Sequence, residues 1–137
     1  MRVLIPFAAA LAFTLAAGVS ALAQQASSLL CAVINVVECS AQGECQRSTI
    51  ESANLPRFIR VNPAARSLAS TGDDARTAPI QSVERVNDRL ILQGGQQGRA
   101  WSATVADKTG QMSVAVVEDQ TAFVVFGACT AAEPERR

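Results

Sequence analysis

The chain has no histidine and no tyrosine, one tryptophan and one lysine. Each absence removes a class of chemistry. Without histidine there is no Ser-His-Asp triad, no Cys-His pair and no imidazole-ligated metal. A Ser-Lys dyad would have to use Lys108, which falls in a predicted turn where water keeps the amine protonated. Aromatic residues make up 4% of the chain, too few for a row of stacking platforms such as extended sugar or nucleic-acid sites use. No excess of positive charge exists either. The 12 basic and 12 acidic residues cancel, so no field gathers nucleic acid or anionic lipid.

One long apolar run is present, and it lies at the start. Arg2 gives a positive first region, Val3 to Ala17 is rich in Ala, Leu and Phe, and Ala21-Leu22-Ala23 is a small-x-small cleavage site. This is the pattern of a secretory signal, with cleavage expected between Ala23 and Gln24 and delivery to a bacterial periplasm or the exterior. A retained membrane anchor would be less rich in alanine and would be followed by basic residues. Removing 23 residues from 137 leaves 114, one domain's length and enough for an apolar core. Residues 24–30 read as a flexible leader, 31–129 as a single domain and 130–137 as a disordered tail.

Cysteine is scarce but even in number: Cys31, Cys39, Cys45 and Cys129. Export makes disulfides the default. A zinc site fails on spacing, with no C-x-x-C pair and no histidine. Cys39 and Cys45 flank SAQGE, which reads as a turn between two strands. Cys31 and Cys129 lie in the first and last strands. The expected bridges are therefore Cys39–Cys45 and Cys31–Cys129, the second holding the first strand to the last.

The mature region reads as short strands separated by turns. Cys31–Cys39 is rich in β-branched residues, and Glu44–Ser48 returns beside it. Ser48-Thr49-Ile50-Glu51 begins a single helical turn stopped by Pro56. Strands are expected at Arg57–Val61, Arg66–Ala69, Pro79–Val86 and Arg89–Gln93, with Asn87-Asp88 as a tight turn and Gly94–Gly98 as another. In Arg99–Ala106, Trp101, Ala103 and Val105 share one face. Asp107–Gly110 is a hairpin signal, and Met112, Val114 and Val116 face inward on the strand that follows. Thr121–Gly127 closes the set. The fold class is all-β: a small antiparallel meander barrel or sandwich of about 7–9 short strands, disulfide-bonded.

Three stretches carry a resemblance. RFIRVN at Arg57 to Asn62, LILQGGQQGRAWSATVADKTGQM at Leu90 to Met112, and FVVFGAC at Phe123 to Cys129 resemble small exported β-rich proteins of proteobacteria with no assigned function. The resemblance spans Cys31 to Cys129. It implies export and a β-fold, and it brings no activity, cofactor or site residue.

Carboxylates are the remaining acid/base groups. Glu84, Asp88, Asp107, Glu118 and Asp119 fall near strand ends, where acids normally sit in water. A glycosidase would need two of them held about 5–10 Å apart. Gly94-Gly95 and Gly98 precede a strand rather than a helix, so they do not form a phosphate loop. Asp73-Asp74 offers too few oxygens for calcium. Trp101, Phe58, Phe123 and Phe126 are expected mainly as core. Trp101 and Met112 are the candidates for a ligand cavity, and Phe126, on a strand apolar on both faces, for a partner contact. The expected function is non-enzymatic: a cell-envelope protein that holds a small apolar molecule or contacts another envelope protein, without cofactor, metal, nucleic acid or membrane insertion. The alternative is a hydrolase working with carboxylates alone.

Overall fold

A computed structural model describes residues 27–73 and 75–133. The signal segment and its cleavage site lie outside the described residues. Ten strands form one antiparallel sheet: β1 (Leu29–Ser40), β2 (Cys45–Ser48), β3 (Phe58–Asn62), β4 (Ser67–Ser70), β5 (Thr77–Pro79), β6 (Ser82–Val86), β7 (Arg89–Gln96), β8 (Arg99–Ala106), β9 (Gln111–Val117) and β10 (Thr121–Ala131). Their spatial order is β5-β4-β3-β1-β10-β9-β8-β7-β6, with β2 beside β1. The sheet curls as a half-barrel, and its first and last strands pair at its centre.

Two long strands each serve two short ones. One edge of β1 pairs with β3 through Leu29–Ala32 and with β2 through Val36–Cys39. Its other edge runs along β10. An extra residue at Ile34 makes this possible. The register shifts between Val33 and Asn35, so inward positions change from Cys31 and Val33 to Val36. Such a bulge bends a strand and adds twist, which curls the sheet. At the other limb, β6 pairs with the first part of β7, and β5 packs against the same strand further on.

The stretch read as one strand from Pro79 to Val86 is two. Pro79 has no N–H to continue a ladder. Ile80 then donates to the Arg66 carbonyl at 2.9 Å and Gln81 to the Gln93 carbonyl at 2.8 Å, and the Ile80 side chain is buried. This break accounts for a tenth strand where seven to nine were expected. The ends also differ. Leu29 and Leu30, expected in a leader, belong to β1, and Thr130 and Ala131, expected in the tail, belong to β10. Both gains come from pairing Leu29 with Ala131 and Leu30 with Thr130.

Two of the hairpins follow the sequence closely. Asn87 and Asp88 both adopt positive φ, 49° and 59°, the backbone of a two-residue turn that matches strand twist. Asp107–Gly110 closes through the Gly110 N–H to the Ala106 carbonyl at 2.8 Å. The helical turn is real and well capped. The Thr49 hydroxyl accepts from the Ser52 N–H, and the Ser52 hydroxyl accepts from the Thr49 N–H. Leu55 donates to Ile50 and Asn54 to Glu51, with Asn54 left-handed at φ 51°. That is a Schellman ending, and it lays Leu55 near Ile50.

The interior holds two apolar clusters. One joins Cys31, Val61, Ile80, Leu90, Leu92, Ala103, Val105 and Met112. The other joins Val33, Val36, Ala53, Val116, Phe123 and Val125, with Ile50 and Leu55 of the helical turn packed on it. Both expected disulfides are present. Cys31 pairs with Cys129 and Cys39 with Cys45, each between directly opposed strand positions, with Cα separations of 4.0 and 4.1 Å. Two structural bridges belong to an oxidising compartment. Among the described residues, no helix is long and apolar enough to cross a membrane.

Candidate functional site

The two clusters do not meet fully. Ile59, Trp101 and Val114 pack against both and are buried in neither. Between the clusters lies a cavity of about 630 Å³, open on one side. That volume falls within the range of small-molecule sites, about 300–1,000 Å³.

Trp101 is placed by its neighbour across the ladder. Gly94 pairs with Trp101, and both face inward. A Cβ on Gly94 would lie 2.5 Å from Trp101 Cζ2 and 2.6 Å from the Pro79 carbonyl oxygen. Only glycine leaves room there for the indole and for the approach of β5. This corrects the reading of Gly94–Gly98 as a turn: Gly94 and Gly95 are strand residues of β7, and Gln97-Gly98 alone turns the chain.

Met112 forms part of the cavity wall from β9. Its strand partners there are Val105 and Gly127. Ile59, Leu68, Val114 and Val125 complete most of the apolar wall. Polar groups line one end. Ser70 ends β4, Thr77 starts β5, Gln96 ends β7, Arg99 starts β8, and Asn54 belongs to the helical turn.

Two arginines tie the helical turn to the barrel at that end. Arg76 Nη1 donates to the Asn54 carbonyl at 2.9 Å and to Asn54 Oδ1 at 3.2 Å. Arg99 Nη1 reaches the adjacent Ala53 carbonyl at 3.4 Å. Arg99 also grips Glu118 through Nε at 3.0 Å and Nη2 at 3.1 Å, a two-point pair. Its guanidinium lies 5.8 Å from the Phe123 ring centre.

Of the sequence candidates, Trp101 and Met112 share this cavity and Phe126 does not. Phe126 is on the outer face of β10, 44% exposed. Phe123 is core as expected, but Phe58 is not: Ile59 and Val61 take the inward positions of β3 and leave Phe58 outside, 43% exposed.

The candidate carboxylates are dispersed. Asp88 pairs with Lys108 at 2.9 Å, Asp107 with Arg85, and Glu118 with Arg99, while Glu84 and Asp119 are exposed. None lines the cavity. Asp73 is exposed in the β4–β5 loop, and Asp74 lies outside the described residues. Among the described residues, no three His, Cys, Asp or Glu side chains gather as metal ligands. Glu51, on the helical turn, is held below the usual carboxylate value first by a backbone N–H and also by Arg57 at 2.9 Å, with desolvation opposing them.

A second hollow, about 710 Å³, lies at the opposite end beside the β8–β9 turn. Arg85, Asp107 and Lys108 line it, and their charges are paired with one another or with Asp88. Sequence reasoning missed Gly94, Arg76, Arg99 and the roof supplied by Asn54 and Leu55. The Thr49/Ser52 cap was a readable signal for the roof. Compared with protein-family models, curated proteins and solved structures, the chain matches none.

Proposed function

We propose that this is a non-enzymatic binding protein of the bacterial periplasm or exterior that holds a small, largely apolar molecule in the cavity between its two core clusters. The observation that carries the reading is the half-buried trio Ile59, Trp101 and Val114, together with Met112, around an open space of about 630 Å³. Small barrels are usually filled by their own side chains. Here space remains open along Trp101, Met112 and Val114. Among the described residues no Asp or Glu lines it, which supports binding over carboxylate hydrolysis. Native mass spectrometry of protein purified from its own envelope tests this. A retained small-molecule adduct that organic solvent removes is the expected result. A bare mass, together with no change in Trp101 emission across a panel of apolar compounds, would overturn it.

A second reading has one observation in its favour. Ile34, at the bulge, is 60% exposed, and Phe58 and Phe126 flank the same strand from β3 and β10. This apolar strip on the outer face suits a protein partner. A stoichiometric protein adduct lost on Phe126→Ser would favour it.

A further inference from the structure

An antiparallel sheet with one packed face usually turns polar residues to water on the other. Across β3, β1, β10 and β9 this sheet does not. Of the five large apolar side chains exposed among the described residues, four stand on its outer face here: Phe58, Ile34, Phe126 and Val117. Small residues fill the space between them, with Ala32 opposite Ala128 and Val124 opposite Ala115. The charges on this face have one sign. Arg60 lies opposite Leu30 and Arg47 opposite Val37, so both stand along the same edge of β1, about 20 Å apart, with Phe58 between them. Neither forms an ion pair among the described residues. Glu38 is the sole carboxylate of β1, β2, β3, β9 and β10, and it faces inward, where Ser48 donates to it at 3.2 Å. The other described carboxylates stand in connections between strands, on β6 or after β10. The balanced charge of the whole chain conceals this sidedness.

We infer that this face docks on an anionic lipid surface, with Ile34, Phe58 and Phe126 among the headgroups and Arg47 and Arg60 on lipid phosphates. Interfacial binding combines apolar burial with attraction of basic residues to anionic lipid, and guanidinium N–H groups match phosphate oxygens in geometry. A second copy is disfavoured, because the face has no carboxylate to meet its own arginines. The face is also the convex side of the curled sheet, which meets a rigid protein over little area, whereas a fluid bilayer conforms to it. The inference goes beyond the cavity reading and does not depend on it.

Sedimentation with vesicles tests it. The protein should bind phosphatidylcholine vesicles containing phosphatidylglycerol and bind pure phosphatidylcholine far more weakly. Arg47→Gln and Arg60→Gln should each weaken binding to the anionic vesicles about fivefold, the scale of one basic residue near such a surface. Phe126→Ser should weaken binding to both. All variants share one N-terminus, so no segment outside the face can produce these differences. Added salt should weaken binding of the unchanged protein to the anionic vesicles, which decides the matter if a variant does not fold. Trp101 faces the cavity, so its emission should not change. No binding to anionic vesicles, equal binding to both kinds, or binding indifferent to these substitutions would overturn the proposal. A protein adduct lost on Phe126→Ser, without vesicle binding, would assign the face to a protein instead. None of these failures touches the cavity reading, which the response of Trp101 to apolar compounds decides.

Discussion

Two regions of the barrel differ in how they are filled. Around Leu90, Leu92 and Val105 the strands bring large aliphatic side chains into full contact, and the Cys31–Cys129 bridge lies against them. Between that cluster and the one under the helical turn, β8 and β9 present Trp101, Val114 and Arg99, and the interior opens. One region is a core that holds the fold together; the other is a space between the two clusters that the fold encloses. The changes that should separate them range from loss of the fold to a small shift with pH.

The largest effect should come from the bridges. In the chain-entropy account, a loop of about 99 residues contributes about 4.7 kcal/mol and one of about seven residues about 2.4 kcal/mol. Those lengths correspond to Cys31–Cys129 and Cys39–Cys45, whose sequence separations are 98 and 6. Cys129→Ser should therefore lower the denaturant midpoint clearly more than Cys45→Ser. Equal losses would mean that the long bridge adds little beyond the ladder it crosses.

Next come the apolar walls. Leu92 is 1% exposed, and Leu92→Ala should cost about 3 kcal/mol, because it opens a void in packed surroundings. Val114 borders space that already exists, so Val114→Ala should cost about 1 kcal/mol or less. Urea melts of the two variants compare them directly. Similar costs would show that the cavity region is as tightly packed as the other.

Gly94→Ala changes the site as well as the stability. The added methyl meets both the indole and the Pro79 backbone, and overpacking of this kind costs about 1–3 kcal/mol. The ring is the softer neighbour and should move. Its emission should shift, and binding of apolar compounds should weaken while the fold persists. An unchanged spectrum would show that Trp101 does not rest on Gly94.

The smallest effect concerns Glu51 on the turn over the mouth. Its folded pKa is lowered, so the stability it adds is present above the usual value near 4.5 and is lost as pH falls through the folded value. Glu51→Gln should be slightly less stable than the parent at neutral pH and should match it in acid. The carboxylate is fully exposed, so solvent keeps the difference small.

Much of the filled region was legible. Alternation marked Trp101, Ala103 and Val105, then Met112, Val114 and Val116, as inward rows, because a pleated strand sends alternate residues to one face. Asn87-Asp88 and Asp107–Gly110 carried their turns in their own chemistry. The bridges followed from placing four cysteines on a closing meander. The open region was harder to read. Gly94-Gly95 looks like a turn until Trp101 is known to lie across from it. Pro79–Val86 alternates like one strand until Ile80 is drawn inward. Ile34 gives no sign of being a bulge, since only the pairing with β10 reveals the extra residue. Arg76 and Arg99 are separated by more than twenty residues, and only the helical turn brings them together. A cavity is a property of where side chains fall short of one another, and no single stretch of sequence carries it.

The most direct test of the binding account is nuclear magnetic resonance of methionine-methyl and indole signals during titration with lauryl alcohol. Met112 is the only methionine after Met1, and Trp101 is the only indole. The account predicts that both signals shift together and saturate, while the methyls of Ile34 and of Leu92 stay still. Shifts confined to Ile34 and the Phe126 ring, with Met112 and Trp101 unmoved, would contradict it.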